Sequence, residues 1–192
     1  MRAADRSPSR AKLSDADLDR LLAIEAHERE RLYRESQIWR AHRNRLLCVC
    51  LGQGTALHLI DRSGLNDFDV LTFFARSPSL APRRVSSSFR AGRHRDFGPS
   101  RFGKRKDKEG RARFPSYEGR NVDLFAYAIP AKRTADPAAA VRAWLRAAPT
   151  DSAKLLAEKA VVMVEPERLQ IIWPAEADGR KLRGYRSRAS LG

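Results

Sequence analysis

The segment from Leu47 to Phe74, LCVCLGQGTALHLIDRSGLNDFDVLTFF, limits the folds open to this chain more than any other. A compact apolar run stops at Gly52, a short amphipathic stretch follows, and a second apolar run begins with Asp67 and Asp69 on either side of Phe68. Apolar runs this short, bounded by turn residues, predict buried strands, so the pattern reads strand, turn, short helix, strand. Side chains two apart on a strand share a face, which directs Asp67 and Asp69 to one site while Phe68 and Val70 enter the core. Ionised carboxylates are costly to bury without a cation. Two convergent oxygen donors suit Mg2+, which accepts one or two protein carboxylates and fills its remaining positions with water and phosphate.

The turn supplies a second element. Gly52, Gln53 and Gly54 reverse the chain and Thr55 is expected to cap the helix that follows. Free backbone N–H groups, the positive end of a helix and a hydroxyl would then meet, a setting for a triphosphate; glycine turns of this kind also serve packing alone. A third element is Asp123, an acid beside an otherwise apolar run, Leu124 to Ile129. A strand tolerates it if it faces a metal shared with Asp67 and Asp69.

Around this core the chain reads in order. Residues 1–13 are polar and basic and read as a disordered arm. Ser14 and Asp17 form a capping-box-like start to a long helix, with Leu18, Leu21, Leu22 and Leu32 at helical spacing, expected to reach about Arg43. RRVSSSFR reads as an edge strand, NVDLFAYAI as a central one, Asp136 and Pro137 as a helix start, and SAKLLAEKAVVMV as a further helix begun by Thr150 and Asp151. The expected architecture is α/β (α+β): a mixed sheet flanked by helices over residues 14–174, with its core at 46–130, C-terminal helices at 136–164 and a basic tail at 175–192. Trp39, Trp144 and Trp173 read as packing anchors. Cys48 and Cys50 read as reduced, buried small hydrophobes without the partners a metal pair needs. His58 reads as a packing or solvent-facing residue, His27 and His42 as surface helix residues, and His94 as a polar or nucleic-acid contact.

Together the three elements resemble the nucleotidyltransferase superfamily, in particular its AbiEii-like toxin branch. GQGTALHL and NDFDVLTFF stand in the register of that branch's glycine turn and Asp-x-Asp strand, and LLAEKAVV resembles its Leu-Ala-Glu-Lys helix. Gln53 departs from the small residue usual there, and EPERLQIIWPA follows the lysine where the branch carries further acids. The resemblance implies a nucleotidyltransferase-like fold and Mg2+ (or Mn2+) held by Asp67, Asp69 and Asp123. It also implies a nucleoside triphosphate substrate gripped at Gly52, Gly54 and Thr55, with Lys159 as a further cation. The reaction implied is transfer of a nucleoside monophosphate to a macromolecule, RNA and in particular tRNA first, within a toxin-antitoxin system whose antitoxin protein would be a partner. A degenerate binding module and an antitoxin-type protein adenylyltransferase are the alternatives.

Charge bears on the acceptor. The chain of 192 residues carries a formal net charge of +15, which favours a polyanionic partner. Arg90 to Arg120 holds eleven Lys and Arg against four Asp and Glu, with Phe97, Phe102, Phe114 and Tyr117 among them. It reads as a long excursion whose Arg93, Arg95, Arg101, Lys104, Arg105, Lys106, Lys108, Arg111 and Arg113 would follow an RNA backbone. DFGPS within it lacks the other parts of a kinase and reads as a turn fixed by Pro99. No apolar run approaches the roughly 20 residues of a membrane helix, and the first residues lack the apolar stretch of a signal peptide. A cytoplasmic location without membrane contact is the expectation.

Overall fold

The computed structural model describes residues 11–62, 64–78, 90–104 and 114–174. Its centre is a six-stranded sheet in the order β3-β4-β2-β1-β5-β6. The strands are β1 (Leu46–Gly52), β2 (Phe68–Ala75), β3 (Arg90–Asp96), β4 (Asn121–Ile129), β5 (Val161–Glu165) and β6 (Gln170–Trp173). β2 and β4 run parallel and every other neighbouring pair runs antiparallel. This is the expected α+β class with a mixed sheet.

The two sheet faces are filled by different helices. α1 (Asp15–Glu35) begins at the Ser14–Asp17 capping box and buries Leu18 and Leu21 against Val49, Leu51, Phe68, Val70, Val122 and Leu124. On the opposite face α4 (Pro137–Ala147) and α5 (Asp151–Ala157) cover Cys48, Cys50, Leu71, Phe73, Tyr127 and Ile129, with Val141, Trp144 and Leu145 at the centre. Asp136 caps α4 by accepting the Ala139 N–H, and Thr150 caps α5 by accepting that of Ala153. The short α3 (Gln53–Asp61) packs through Ala56 on Ala160 and Val162.

Several expectations change. The long helix stops at Glu35, because Ser36 adopts an extended conformation and caps α2 (Gln37–Arg40), a break that brings Trp39 to 5.4 Å from Phe74. The helix expected to run through Val164 ends at Ala157, and Val161–Glu165 is a strand. Its side chains are buried alternately against the α4 side (Val161, Met163) and the α1 and α3 side (Val162, Val164), so it has no polar face to mark a period of two. Leu13, placed in the expected arm, is buried, and Ala11 accepts a hydrogen bond from His58 at 2.8 Å. His42 is buried as well, donating to the Ile38 carbonyl and accepting from the Ser77 N–H. Cys48 and Cys50 are buried free thiols, Trp39 and Trp144 are buried, and His27 is exposed. Residues 1–10, most of RRVSSSFR and the basic tail lie outside the described residues. Among those described, no helix is long and apolar enough to cross a membrane.

Candidate active site

Strand direction gathers the site. β1 ends where β2 and β4 begin, β3 ends beside the start of β4, and β5 starts beside the end of β1. One end of the sheet therefore carries the glycine turn, Asp67, Asp69, Asp123, His94 and Lys159.

The glycine turn is shaped by close approach. A Cβ on Gly52 would stand 2.5 Å from Leu71 Cδ1, so any larger residue there would have to displace the buried Leu71 side chain. Gln53 takes a positive φ of 48°, a conformation that side chains disfavour, and its N–H donates to the Ala160 carbonyl at 3.0 Å. That bond draws the segment bearing Lys159 against the turn. A Cβ on Gly54 would come 4.0 Å from Asp69 Oδ2, which places the carboxylate at the mouth of the turn.

Thr55 does something other than cap the helix. Gly52 holds the N-cap position, and Thr55 lies inside α3, fully buried. Its hydroxyl donates to the Asp67 carbonyl at 3.1 Å and accepts the Asp69 N–H at 2.7 Å. A side chain expected to grip phosphate thus clamps the backbone on which both aspartates sit.

Asp69 and Asp123 are direct register partners on the parallel strands β2 and β4 and face the same side of the sheet. Burial, then the charges of Asp123 and Asp67, push the Asp69 carboxyl up to about 7, against the opposing pull of Lys159 and the Gly54 N–H. Asp123 Oδ1 accepts from Asn121 Nδ2 and from His94 Nδ1, the latter on the edge strand at the register position facing Asp123. Asp69, Asp123 and His94 form a row across three strands. Among the described residues, however, no group of three or more His, Cys, Asp or Glu side chains is arranged to hold a metal ion. Asp69 and Asp123 are neighbours in the sheet, and Asp123 is turned toward His94 and Asn121.

The basic residues divide. Arg90–Asp96 is a strand and not part of a structureless excursion, so Arg93 and Arg95 project from it onto the α1 face. There Arg95 pairs with Glu28 at 2.5 Å, and Arg93 with Glu28 at 3.7 Å and Glu35 at 3.5 Å. Arg101 pairs with Asp17. These three tie the β3 side of the sheet to α1. Lys104 is exposed, while Arg105, Lys106, Lys108, Arg111 and Arg113 lie outside the described residues.

Asn121 and the pairing of His94 with Asp123 are features of this sheet end that the spacing arguments missed, whereas from the sequence His94, Phe114 and Tyr117 read only as nucleic-acid contacts of the basic segment. A period-two reading of RAGRHRD, with Arg93 and Arg95 on one face and His94 on the other, could have flagged the histidine; its alignment with Asp123 depends on strand pairing that no local pattern states. Comparisons with protein-family models, with curated proteins and with solved structures find no match.

Proposed function

We propose that this chain is a Mg2+-dependent nucleotidyltransferase that moves a nucleoside monophosphate from a nucleoside triphosphate to an RNA acceptor. The observation that carries the reading is the register pairing of Asp69 with Asp123 on one face, at the sheet end where the glycine turn opens onto Asp69. What supports an ion here is charge and donor type: burial and two neighbouring carboxylates push the Asp69 carboxyl up to about 7, a repulsion that a hard divalent cation would relieve. Asp67 and Asp69 would hold it, with Asp123 completing the acidic set. Once bound, the ion neutralises charge on the transferring phosphoryl group.

The chain's own groups do the rest. The Gln53 and Gly54 N–H groups are engaged by the Ala160 carbonyl and the Asp69 carboxylate, so the Lys159 ammonium is the group left to meet the triphosphate, and Thr55 keeps Asp67 and Asp69 in register by holding their backbone. The acceptor oxygen bonds to the α-phosphorus, the bond from that phosphorus to the bridging oxygen breaks, pyrophosphate leaves and the hydroxyl proton passes to solvent. One set of observations favours a second reading, a binding module without turnover: the Thr55 hydroxyl is spent inside the fold and Asp123 is engaged by His94 and Asn121.

Incubation of the purified chain with each labelled nucleoside triphosphate, Mg2+ and total RNA separates the two. Label in the RNA that vanishes in Asp69→Ala supports transfer. Salt-sensitive RNA binding with no nucleotide bound under any condition supports the module.

A further inference from the structure

We propose that the stacked rings of Phe114 and Tyr117, with the His94 ring tilted against Phe114, form a platform for an unpaired nucleobase of a single-stranded RNA acceptor, next to Asp123. This deepens the nucleotidyl-transfer reading and rests on it for the identity of the acceptor. The Phe114 ring centroid lies 5.4 Å from that of His94 and 4.8 Å from that of Tyr117, the latter pair inclined by only 23°. Phe114 and Tyr117 are both partly exposed, and the clusters that fill the core on the two sheet faces include neither. Planar apolar area held at the end of an acidic row, on a chain this basic, suits a heterocycle attached to a phosphate strand.

The platform is fixed in place by the backbone. The Asp96 carboxylate, at the end of β3, accepts the N–H groups of Gly98 at 2.8 Å, Glu118 at 2.6 Å and Gly119 at 2.8 Å. Phe97 N–H donates to the Arg120 carbonyl at 2.8 Å, and Gly119 passes so close to the Gly98 carbonyl that no Cβ fits between them. The Tyr117 N–H closes a turn onto the Phe114 carbonyl at 3.0 Å, which sets the two rings side by side.

A nucleobase here could come from the triphosphate or from the acceptor, and strand order favours the acceptor. The glycine turn belongs to β1, the aspartates to β2 and β4, and His94 to β3, on the far side of the row. At a spacing of about 4.8 Å between strands, His94 stands about 10 Å from Asp69, away from the turn. In an in-line displacement the attacking hydroxyl enters opposite the leaving pyrophosphate. Phosphates at the β1 turn therefore bring the acceptor in from the β3 side, over the rings.

The test is binding of a labelled short oligoadenylate and oligouridylate, followed by anisotropy, beside calorimetric binding of ATP with Mg2+. The proteins are the full chain and its Phe114→Leu, Phe114→Trp and Tyr117→Leu forms, each checked by thermal melting. Leucine keeps an apolar side chain without a π face and is expected to weaken oligonucleotide binding roughly tenfold. Tryptophan should restore it, which a purely structural role for Phe114 would not require, and ATP binding should stay level. Unchanged oligonucleotide affinity in both leucine variants overturns the platform; loss of ATP affinity in place of RNA affinity gives the rings to the nucleotide substrate and overturns it too. Because this readout needs no turnover, a chain that never transfers label but loses RNA affinity at Phe114→Leu overturns the enzymatic reading and supports the platform.

Discussion

Strand β3 places its alternate residues in two opposite electrostatic settings. On the α1 face, Arg93 and Arg95 converge with Arg31 on Glu28, whose carboxylate is almost fully buried and has three guanidinium partners. Across the sheet, His94 meets Asp123 beside Asp69 and Asp67, where Lys159 is the cation that bears on Asp69. Glu25 falls between the two: Arg29 and the Thr72 hydroxyl serve it, and burial still pushes its carboxyl up. The protein has ample arginine to neutralise a buried acid where the acid is structural. At the other face burial and two neighbouring acids leave the Asp69 carboxyl raised despite Lys159, the condition expected where an added cation completes the charge balance.

The largest effect that tests this contrast is catalytic. Asp69→Ala is expected to lower nucleotide transfer roughly a thousandfold or more, since an ion at the phosphoryl group is worth several kcal/mol. Arg95→Gln, which alters the compensated face, should change transfer by a small factor. Equal losses in rates of labelled nucleotide incorporation would mean that the two faces do not differ in role.

The next effect is on stability. A carboxyl held at about 7 in the fold and near 3.8 when unfolded keeps its proton longer in the folded state, so folding loses stability as pH rises between those values. The loss levels off above pH 7 at about 4 kcal/mol, at about 1.4 kcal/mol per unit. Asp69→Asn should therefore unfold at higher urea concentration than the parent chain at pH 8 with chelator present, with the gap closing near pH 4. Mg2+ should raise the melting temperature of the parent at pH 8 and leave that of Asp69→Asn unmoved. A gap independent of pH would remove the case for an uncompensated site.

Glu28→Gln inverts the comparison by leaving three arginines around a neutral side chain. Breaking a buried pair costs about 3–5 kcal/mol when the orphaned charge stays buried. Arg31, Arg93 and Arg95 are 23, 48 and 36 % exposed and can turn to water, so the expected loss is nearer 2 kcal/mol. It should shrink in high salt, which screens the arginines from one another. Urea titrations at two ionic strengths measure both.

The same contrast explains how much the sequence discloses. β1, the turn into α3, β2 and β4 are legible because each is a short apolar run with turn residues at its ends, and α4 because Asp136 and Pro137 mark its start. The meeting of Asp69 with Asp123 could be expected only by treating an acid at the head of a strand as an anomaly twice over. β3 is hidden because an edge strand built from Arg, Gly and His has no apolar alternation; Arg93 and Arg95 are satisfied by glutamates about sixty residues earlier, a pairing invisible to any local window. β5 is hidden for the opposite reason, being apolar on both faces. Thr55 shows a further limit: a threonine after a glycine turn has the composition of a cap, and only the depth of α3 against β2 shows its hydroxyl committed to Asp67 and Asp69.

The smallest effect concerns the salt dependence of RNA binding. Each cation that contacts a single-stranded phosphate backbone steepens the fall of log affinity with log salt by about 0.7. Arg93 already has Glu28 and Glu35 within ion-pair distance, so a phosphate would have to displace carboxylates to use it, and little counterion release would be gained. Lys104 is exposed at the end of the described part of the basic segment. Lys104→Gln is therefore expected to flatten the slope by about 0.7, and Arg93→Gln to leave it within error. A flattening at Arg93 as large as that at Lys104 would show that RNA opens the Arg93 pairs, making the α1 face of β3 part of the binding surface and erasing the division of the strand into a structural side and a functional side.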